Sequence, residues 1–425
     1  MNSEPSAAVF ADDKLSPGLL TVARGLVIAL PLCFLLGRVP TDITVSLVAL
    51  LFLVRSAVQR DWSWTRSGWF RIGMALWLWM MIISAFAVDS YLSYQQAVFW
   101  WRFLVFAAAL QWWVMDEACM KRVLIVATVV ASAEALDTWV QYFTGSDLLG
   151  NPRPNPFRLS GPFDNQRAGS WLLRLMFPVL LGSFAWRLWG RSPRLAGAAL
   201  VVLIMFMGGA VFASGERMVS GLTVLGLTLA ALLQKGVVRR AILIGFGLVL
   251  AVGLVLAVTN HRIINRYVGQ TMSLVGNISE SGYGEIWHSA VHIISQRPVI
   301  GVGLKNFRIA CRDPEFALPA SYDLRCGTHP HNLYLEWLLG SGAIGLALFL
   351  CLVAAWARQL APPAWRGTTS QWLYGPAILV FLLLWPVGPS TSFFSNWYGG
   401  MFYLSLGWAL AVVRLSARRS ARAAD

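Results

Sequence analysis

A histidine at the edge of an apolar segment is the group best suited to chemistry in this sequence. His331 lies in the run Thr328-His-Pro-His-Asn-Leu-Tyr-Leu-Glu336, where a long polar segment gives way to an apolar one. If Thr328 caps a helix and Pro330 lies in its first turn, the positive helix N-terminus disfavours the protonated imidazole. A neutral imidazole can accept a proton, so the spacing predicts a general base. An interfacial histidine that caps a helix or binds a loop carbonyl fits the same pattern.

The residues after His331 predict a helix that directs this side chain into a bundle. Those that recur on the His331 side at helical spacing are Tyr334, Leu335, Leu338, Gly342 and Gly345. Glycines on such a stripe permit helices to approach closely. We therefore expect a continuous helix whose glycines contact neighbouring helices.

Arg217 is the first of three candidate anion sites. It lies in Phe212-Ala-Ser-Gly-Glu-Arg-Met218, between two apolar runs. Its guanidinium can bind a phosphate through two parallel hydrogen bonds and stays charged throughout. Snorkelling to lipid headgroups or pairing with Glu216 fits this position equally well.

The other two candidate anion sites are loops that contain glycine. In the run 158–168, Gly161-Pro162 enforces a turn. The donors for phosphate or sugar hydroxyls in this run are Arg158, Asn165, Gln166 and Arg167. A loop in which Asn165 binds only backbone is the structural alternative. The third site is the turn of Gly301, Gly303, Lys305 and Asn306, although a G-x-G pattern is usually only a turn.

The composition indicates that membrane helices position these groups. Of the 425 residues, 57% are hydrophobic and 13% are charged, and the mean hydropathy is +0.60. These values are typical of an all-α polytopic membrane protein, which we interpret as one integral domain, 1–425. About twelve stretches can cross a hydrocarbon layer of ~30 Å. They are 17–37, 40–55, 70–88, 94–115, 123–143, 169–189, 195–213, 217–234, 241–259, 331–357, 372–389 and 398–415.

Charge sets the orientation of this map. Most Lys and Arg residues in short connections fall on one side, which predicts a cytoplasmic location for that side and for both termini. Met1–Lys14 lacks the basic region of a secretory signal, so we expect the first apolar run to remain a span. The net charge of +14 accompanies no nucleic-acid motif, and it indicates topology and anionic partners instead.

The segment 260–330 is a long outward loop in this map. Within it, Gly284–Arg297 places Ile286, Ala290 and Ile293 on one face, which predicts a short helix lying on the bilayer surface. Cys311 and Cys326 both lie on the outward, oxidising side, so we expect a disulfide between them.

Other chemistries lack their sequence signatures. The chain has no HExxH motif, no paired-cysteine metal spacing and no Walker loop, which disfavours metal catalysis and nucleotide hydrolysis. A transporter would show charged residues near the midplane of the membrane. Glu134, Asp137 and Arg174 are the candidates, and they could equally pair helices.

Four motifs, in this order, resemble those of the O-antigen ligase and polymerase superfamily of membrane glycosyltransferases. They are SGPFDN at 160–165, SGER at 214–217, EIW to RPVIGVGLKNF at 285–307, and His331-Asn332 with Gly342 and Gly345 as HN-x9-G-x-x-G. The resemblance covers roughly residues 158–346, and the N-terminal spans match only in being apolar. The compact length is similar to that of the ligases rather than the longer protein O-oligosaccharyltransferases. In one departure, Tyr283-Gly284 stands where the family often has an arginine, so that phosphate contact is either missing or supplied by Arg262, Arg266 or Arg297.

The resemblance implies a GT-C-like fold and an inverting transfer of O-antigen glycan from undecaprenyl diphosphate to lipid A-core. The reaction would take place at the periplasmic face of a Gram-negative inner membrane, among membrane lipids, without a metal or other cofactor. His331 would be the general base and Arg217 the principal diphosphate ligand. The further substrate contacts would be Arg158, Asn165, Arg167, Asn332, Arg297 and Lys305. The alternatives are an O-antigen polymerase, a protein O-oligosaccharyltransferase or, in another class, a transporter of lipid-linked oligosaccharides.

Overall fold

The protein is an all-helical bundle, as the sequence predicts. The computed structural model describes residues 16–154, 158–163, 168–186, 192–259, 265–316, 326–367, 370–387 and 391–422, and within these ranges it contains no β-strand. Among the described residues, nine helices are long and apolar enough to cross a membrane. Three shorter apolar helices, Gly68–Ser84, Arg217–Leu233 and Gln371–Leu383, lie at the other predicted positions.

The elements follow the predicted spans closely. In chain order they are α1 (Ser16–Leu36), α2 (Arg38–Gln59), a 3-10 turn (Ser63–Arg66), α3 (Gly68–Ser84), α4 (Ser90–Ala97), α5 (Trp101–Ala109) with a π-helical turn (Leu110–Val114), α6 (Glu117–Thr144), α7 (Ala168–Ala185), α8 (Pro193–Leu203) with a π-helical turn (Ile204–Gly208), α9 (Gly209–Ala213), α10 (Arg217–Leu233), α11 (Gly236–Thr259), a π-helical turn (Asn265–Gly269), α12 (Gln270–Gly276), a 3-10 turn (Ile278–Glu280), α13 (Gly282–Gln296), α14 (Phe307–Ala310), a 3-10 turn (Pro314–Phe316), α15 (Leu333–Arg366), a 3-10 turn (Gln371–Leu373), α16 (Tyr374–Leu383) and α17 (Asn396–Arg422).

Local capping explains several of these boundaries. The carboxylate of Asp116 accepts a hydrogen bond from the Cys119 amide, 2.8 Å away, where α6 begins. Asp89 does the same for the Leu92 amide at the start of α4. Such side chains satisfy amides that have no partner within the helix. Gly145 and Gly367 end α6 and α15 in the left-handed conformation that glycine adopts without strain.

The last helix is the centre of the bundle. Residues Trp397–Val412 of α17 are buried without interruption, against α2, α5 and α16. A helix that is apolar on every side is stable only when other helices surround it. Near its N-terminus, Phe393 and Phe394 pack on the Trp337 ring of α15, which holds the two helices together.

The loops of the bundle separate into two ends. At the basic end, Arg419 pairs with Glu117 at 3.0 Å, and the Arg414 guanidinium donates to the Trp112 carbonyl at 2.7 Å. At the outer end lie the described parts of the connections 85–89, 145–163, 214–216, 265–332 and 384–395. Backbone bonds join these connections: the Val88 amide donates to the Val302 carbonyl at 3.0 Å, and the Leu159 amide donates to the Ser214 carbonyl at 3.1 Å. The outer end is therefore one packed layer.

The outer layer has its own apolar core, which corrects one prediction. The stripe of Ile286, Ala290 and Ile293 on α13 is buried against Phe307 and Phe316 of the following loop. We expected this stripe to lie on the bilayer, but the protein itself covers it. The predicted disulfide in this layer is confirmed: Cys311 and Cys326 are bonded, with Cα atoms 5.7 Å apart.

Candidate active site

His331 lies just outside the helix that was expected to contain it. The N-cap of α15 is Asn332, not Thr328, and Pro330 precedes the helix rather than lying in its first turn. His331 adopts a left-handed backbone with a φ of 53°. A residue with a Cβ atom rarely adopts this conformation, and when it does the position is often functional. The imidazole therefore still lies at a helix N-terminus, but on a strained link instead of a regular turn.

Asn332 holds this link in place. Its Oδ1 accepts from the amides of Tyr334 and Leu335 at 3.0 and 3.1 Å, and its Nδ2 donates to the Pro386 carbonyl at 3.0 Å. The Tyr334 hydroxyl also donates to the connection after α16, at the Leu384 carbonyl, 2.7 Å away. The predicted substrate contact Asn332 thus uses its polar atoms to fix the start of α15.

Two rings that sequence reasoning did not assign to the site surround His331. The Tyr283 ring meets it edge to face, with centroids 5.8 Å apart, and the His329 ring lies 4.1 Å away. Tyr283 belongs to the Tyr283-Gly284 pair noted above, where the superfamily that the sequence resembles often has an arginine, and here its aromatic ring contacts the imidazole. The HxH spacing was the available signal for His329. These contacts orient the imidazole, and the Trp287 indole supports the link by donating to the Pro330 carbonyl at 3.0 Å.

The glycine turn 301–303 and helix α15 interlock, which corrects two predictions. Helix α15 is broken at Gly342, where φ is 68° and ψ is −175°, so it is not continuous. The carbonyls freed by this break accept from the turn: Val302 N donates to Leu339 O at 2.9 Å, and Gly303 N donates to Gly340 O at 3.1 Å. These amides are therefore not open to an anion.

Arg297 precedes this turn in the chain, and Lys305 follows it. Burial lowers the pKa of Lys305, and the positive charges of Arg38 and Arg308 act in the same direction, whereas Glu336 raises it. The Glu336 carboxylate in turn accepts from the Phe393 amide at 2.9 Å.

Arg297 is held by protein groups. Its Nη2 donates to both carboxylate oxygens of Glu315, at 2.8 and 3.1 Å, and its guanidinium lies over the Phe316 ring. This charge-assisted pair holds the guanidinium beside Glu315. The guanidinium stabilises the outer layer directly.

Arg217 and Arg158 lie on connections that the structure brings together. Arg217 is the first residue of α10, and its buried Nη1 has no hydrogen-bond partner among the described residues. The residue after Arg158, Leu159, donates its amide to Ser214 O, three residues before Arg217. A buried guanidinium nitrogen without a partner is costly, so this atom is well suited to bind an anion.

A buried glutamine builds the loop that carries Arg158. The Gln141 Oε1 accepts from the amides of Ser160 and Gly161, at 2.9 and 3.1 Å. Gly161 has a φ of 57°, and a Cβ there would lie 2.6 Å from an oxygen of Glu134. Glycine is therefore the residue that adopts this turn with the least strain. Asn165, Arg167 and Arg262 lie outside the described residues, and so does the side chain of Arg266.

The described parts of the connection between α16 and α17, residues 384–387 and 391–395, contact both parts of the site. On one side it accepts from Asn332 and Tyr334, as described above. On the other, the Arg174 guanidinium donates to the Thr391 hydroxyl at 3.0 Å, and its positive charge acts on Glu216, beside Arg217. The structure thus offers a histidine and several arginines at one end of a membrane bundle. Among the described residues, no group of three or more His, Cys, Asp or Glu side chains could hold a metal ion.

Comparison with known proteins finds one family model and one relative that are similar to parts of this chain. Residues 200–350 match a protein-family model described as O-antigen ligase, a range that includes Arg217, Arg297, Lys305 and His331. The chain is also similar to a protein of Rickettsia conorii (strain ATCC VR-613 / Malish 7) whose name describes a polysaccharide ligase. The two are 35% identical over 86 residues, which cover 18% of this chain and 19% of that relative.

Proposed function

We propose that this chain, whose residues 200–350 match a family model described as O-antigen ligase, joins an O-antigen glycan to lipid A-core. The donor is the glycan linked to undecaprenyl diphosphate, and the acceptor is a sugar hydroxyl of lipid A-core. The site lies at the periplasmic face of a Gram-negative inner membrane, with the basic end and both termini in the cytoplasm. The strained His331 link, held between Tyr283 and His329 at the outer end of the bundle, carries this proposal.

The chemistry needs one base and a cationic site. A sugar hydroxyl is a poor nucleophile, so His331 takes its proton as the oxygen attacks the anomeric carbon of the donor. The bond between that carbon and the diphosphate breaks in the same step, and the configuration inverts. A diphosphate is already a weak base, so it leaves with electrostatic stabilisation alone. No metal is required when arginines offset its charge.

Arg217 is the principal diphosphate ligand in this proposal, since its Nη1 is buried and has no partner among the described residues. Arg158 binds the same group from the adjoining loop, with Asn165 and Arg167 as further contacts. Lys305 adds positive charge next to the turn at Gly303. Asn332 and Arg297 act as positioning residues, because their polar atoms already hold the His331 link and the outer layer.

The test is the substitution His331→Ala in the purified full-length protein, supplied with lipid-linked donor and lipid A-core. Loss of the base lowers turnover by about 10²–10⁴-fold. The matched control is His292→Ala, which removes an imidazole from α13 in the same layer and leaves turnover unchanged. Near-normal transfer by His331→Ala would refute the catalytic role.

The same assay distinguishes the alternative functions. With donor alone, a ligase does not lengthen the glycan, whereas a polymerase lengthens it in the absence of lipid A-core. A protein acceptor that is glycosylated in place of lipid A-core indicates a protein O-oligosaccharyltransferase. Any product formed in detergent, where there are no compartments, excludes transport as the sole activity.

A further inference from the structure

One cleft in the outer layer has no role in the chemistry above. It measures about 710 Å³, within the range of small-ligand sites, and opens to solvent. Its lining residues are Arg308, Ile309, Arg312, Asp313, Pro314, Cys326, Gly327 and Thr328. All belong to the outward loop, and none belongs to a helix that crosses the bundle.

Two exposed arginines line this cleft and give it positive charge. Arg308 and Arg312 are four residues apart on the turn that follows Asn306, and both are exposed. Like charges that line one cleft repel each other. Neither arginine forms an ion pair with the residues that the structure describes, and Asp313 uses an oxygen to accept from the Glu315 amide at 3.0 Å. The cleft lining thus carries two positive charges and the single negative charge of Asp313, and a bound anion would balance the excess positive charge.

A third positive charge lies close to this pair. The charge of Arg308 acts on Lys305, whose pKa is lowered chiefly by burial. Arginine forks match the oxygens of a phosphate or carboxylate, which makes an anionic group the natural ligand of this cleft.

The disulfide connects the cleft to His331. Cys311 lies between Arg308 and Arg312 in sequence. Its disulfide bond to Cys326 joins the turn that carries both arginines to the loop segment that leads to Thr328. Thr328 lines the cleft, and its hydroxyl lies 3.1 Å from Nδ1 of His329, whose ring in turn contacts His331. The cleft is thus connected to His331 through Thr328 and His329.

We propose that this cleft binds an anionic, phosphate-bearing sugar of the acceptor and so aligns the acceptor hydroxyl with His331. The inference rests on the proposed function and specifies its acceptor class. The donor diphosphate is attached directly to a lipid, so it lies at the membrane boundary, where Arg217 begins α10. The cleft is built only from the outward loop, where the sugars of an acceptor extend into water. Its two arginines therefore select acceptors that carry negative charge.

The experiment uses a soluble probe, the phosphorylated oligosaccharide released from lipid A-core by mild acid, and the same oligosaccharide after removal of its phosphates. Binding to the full-length protein is measured by titration calorimetry without donor, and inhibition of transfer is measured against each substrate. We expect the phosphorylated probe to bind at least about tenfold more tightly and to compete with the acceptor. The double variant Arg308→Gln/Arg312→Gln abolishes this preference. Arg358→Gln/Arg366→Gln, which removes two exposed arginines at the basic end, retains it.

Two results would overturn the inference: a preference for phosphate that persists in the Arg308→Gln/Arg312→Gln variant, or competition of the probe with the donor instead of the acceptor. The second result would assign the cleft to the donor diphosphate. If the wild type binds the probe through these arginines but transfers no glycan, the proposed function fails and the anion site stands. If it transfers glycan with no phosphate preference, only the anion site fails.

Discussion

Gly342 and Val299 are so close that no side chain fits between them. A Cβ atom added to Gly342 would lie 2.0 Å from the Val299 carbonyl oxygen. The contact exists because α15 breaks at Gly342, and the amide of the next residue, Ala343, donates to the Pro298 carbonyl at 2.8 Å. The break thus joins the outward loop to the helix that follows His331, by backbone bonds that depend on no side chain.

We expect Gly342→Ala to destabilise the protein by about 2–4 kcal/mol, because the added Cβ meets backbone and the left-handed φ strains any other residue. The apparent Tm of the purified protein in detergent measures this change. Transfer activity should fall with it, since the loop and His331 lose their common anchor.

The control for this substitution is Gly221→Ala in α10, where an added Cβ would meet nothing within 4 Å. Alanine is the better helix former there, so its Tm should equal or exceed that of the wild type. Equal Tm values for the two variants would show that the break at Gly342 bears no strain.

The sequence was sufficient to predict the bundle because its strongest signals are local. Apolar runs of span length and terminal Lys and Arg residues need no knowledge of tertiary structure, and all twelve predicted segments coincide with helices. The pairing of Cys311 with Cys326 followed from their shared side of the membrane. Each of these features is encoded within one segment of the sequence or in the order of the segments.

The site was predicted less completely because it depends on contacts between distant segments. The helix break at Gly342 exists only because the turn at Gly301 supplies partners for the freed carbonyls, and periodicity alone continues the helix. The stripe on α13 is amphipathic in sequence, but its burial requires Phe307 and Phe316, which lie in a later loop. The ring of Tyr283 reaches His331 across 48 residues, a distance that no local pattern encodes.

Arg217→Lys should weaken donor binding although it preserves the charge. Lysine cannot present two parallel donors, so we expect kcat/KM for the donor to fall at least about tenfold. Arg153→Lys is the matched control, because that outward arginine donates to the Tyr142 carbonyl at 3.2 Å and has no place in the proposed site. Steady-state kinetics at varied donor concentration measures both. Wild-type kinetics in Arg217→Lys would support headgroup snorkelling instead.

Cys311→Ser should loosen the outer layer. The disulfide closes a segment with a sequence separation of 15, for which loop-closure entropy gives about 3 kcal/mol of stabilisation. We expect faster limited proteolysis within the outward loop and lower transfer activity. A reducing agent should have the same effect on the wild type. Cys351→Ser removes a free cysteine and should change neither measurement. If activity is insensitive to reductant, the disulfide does not contribute to the activity of the site.

Glu216→Gln should make stability less dependent on pH. Burial raises the pKa of the Glu216 carboxyl above its ordinary value of 4.5, against hydrogen bonds from Ser170 and the charge of Arg174. The unfolded chain therefore loses this proton at a lower pH than the folded protein does. The resulting stabilisation of the folded state is complete below pH 4.5 and is lost as pH rises through the folded pKa. Glutamine carries no such proton, so the variant avoids that loss and should have the higher apparent Tm at neutral pH. Glu285→Gln, on α13, should keep the pH profile of the wild type. Apparent Tm values from pH 4.5 to neutral pH test this, and a profile of Glu216→Gln parallel to that of the wild type would contradict it.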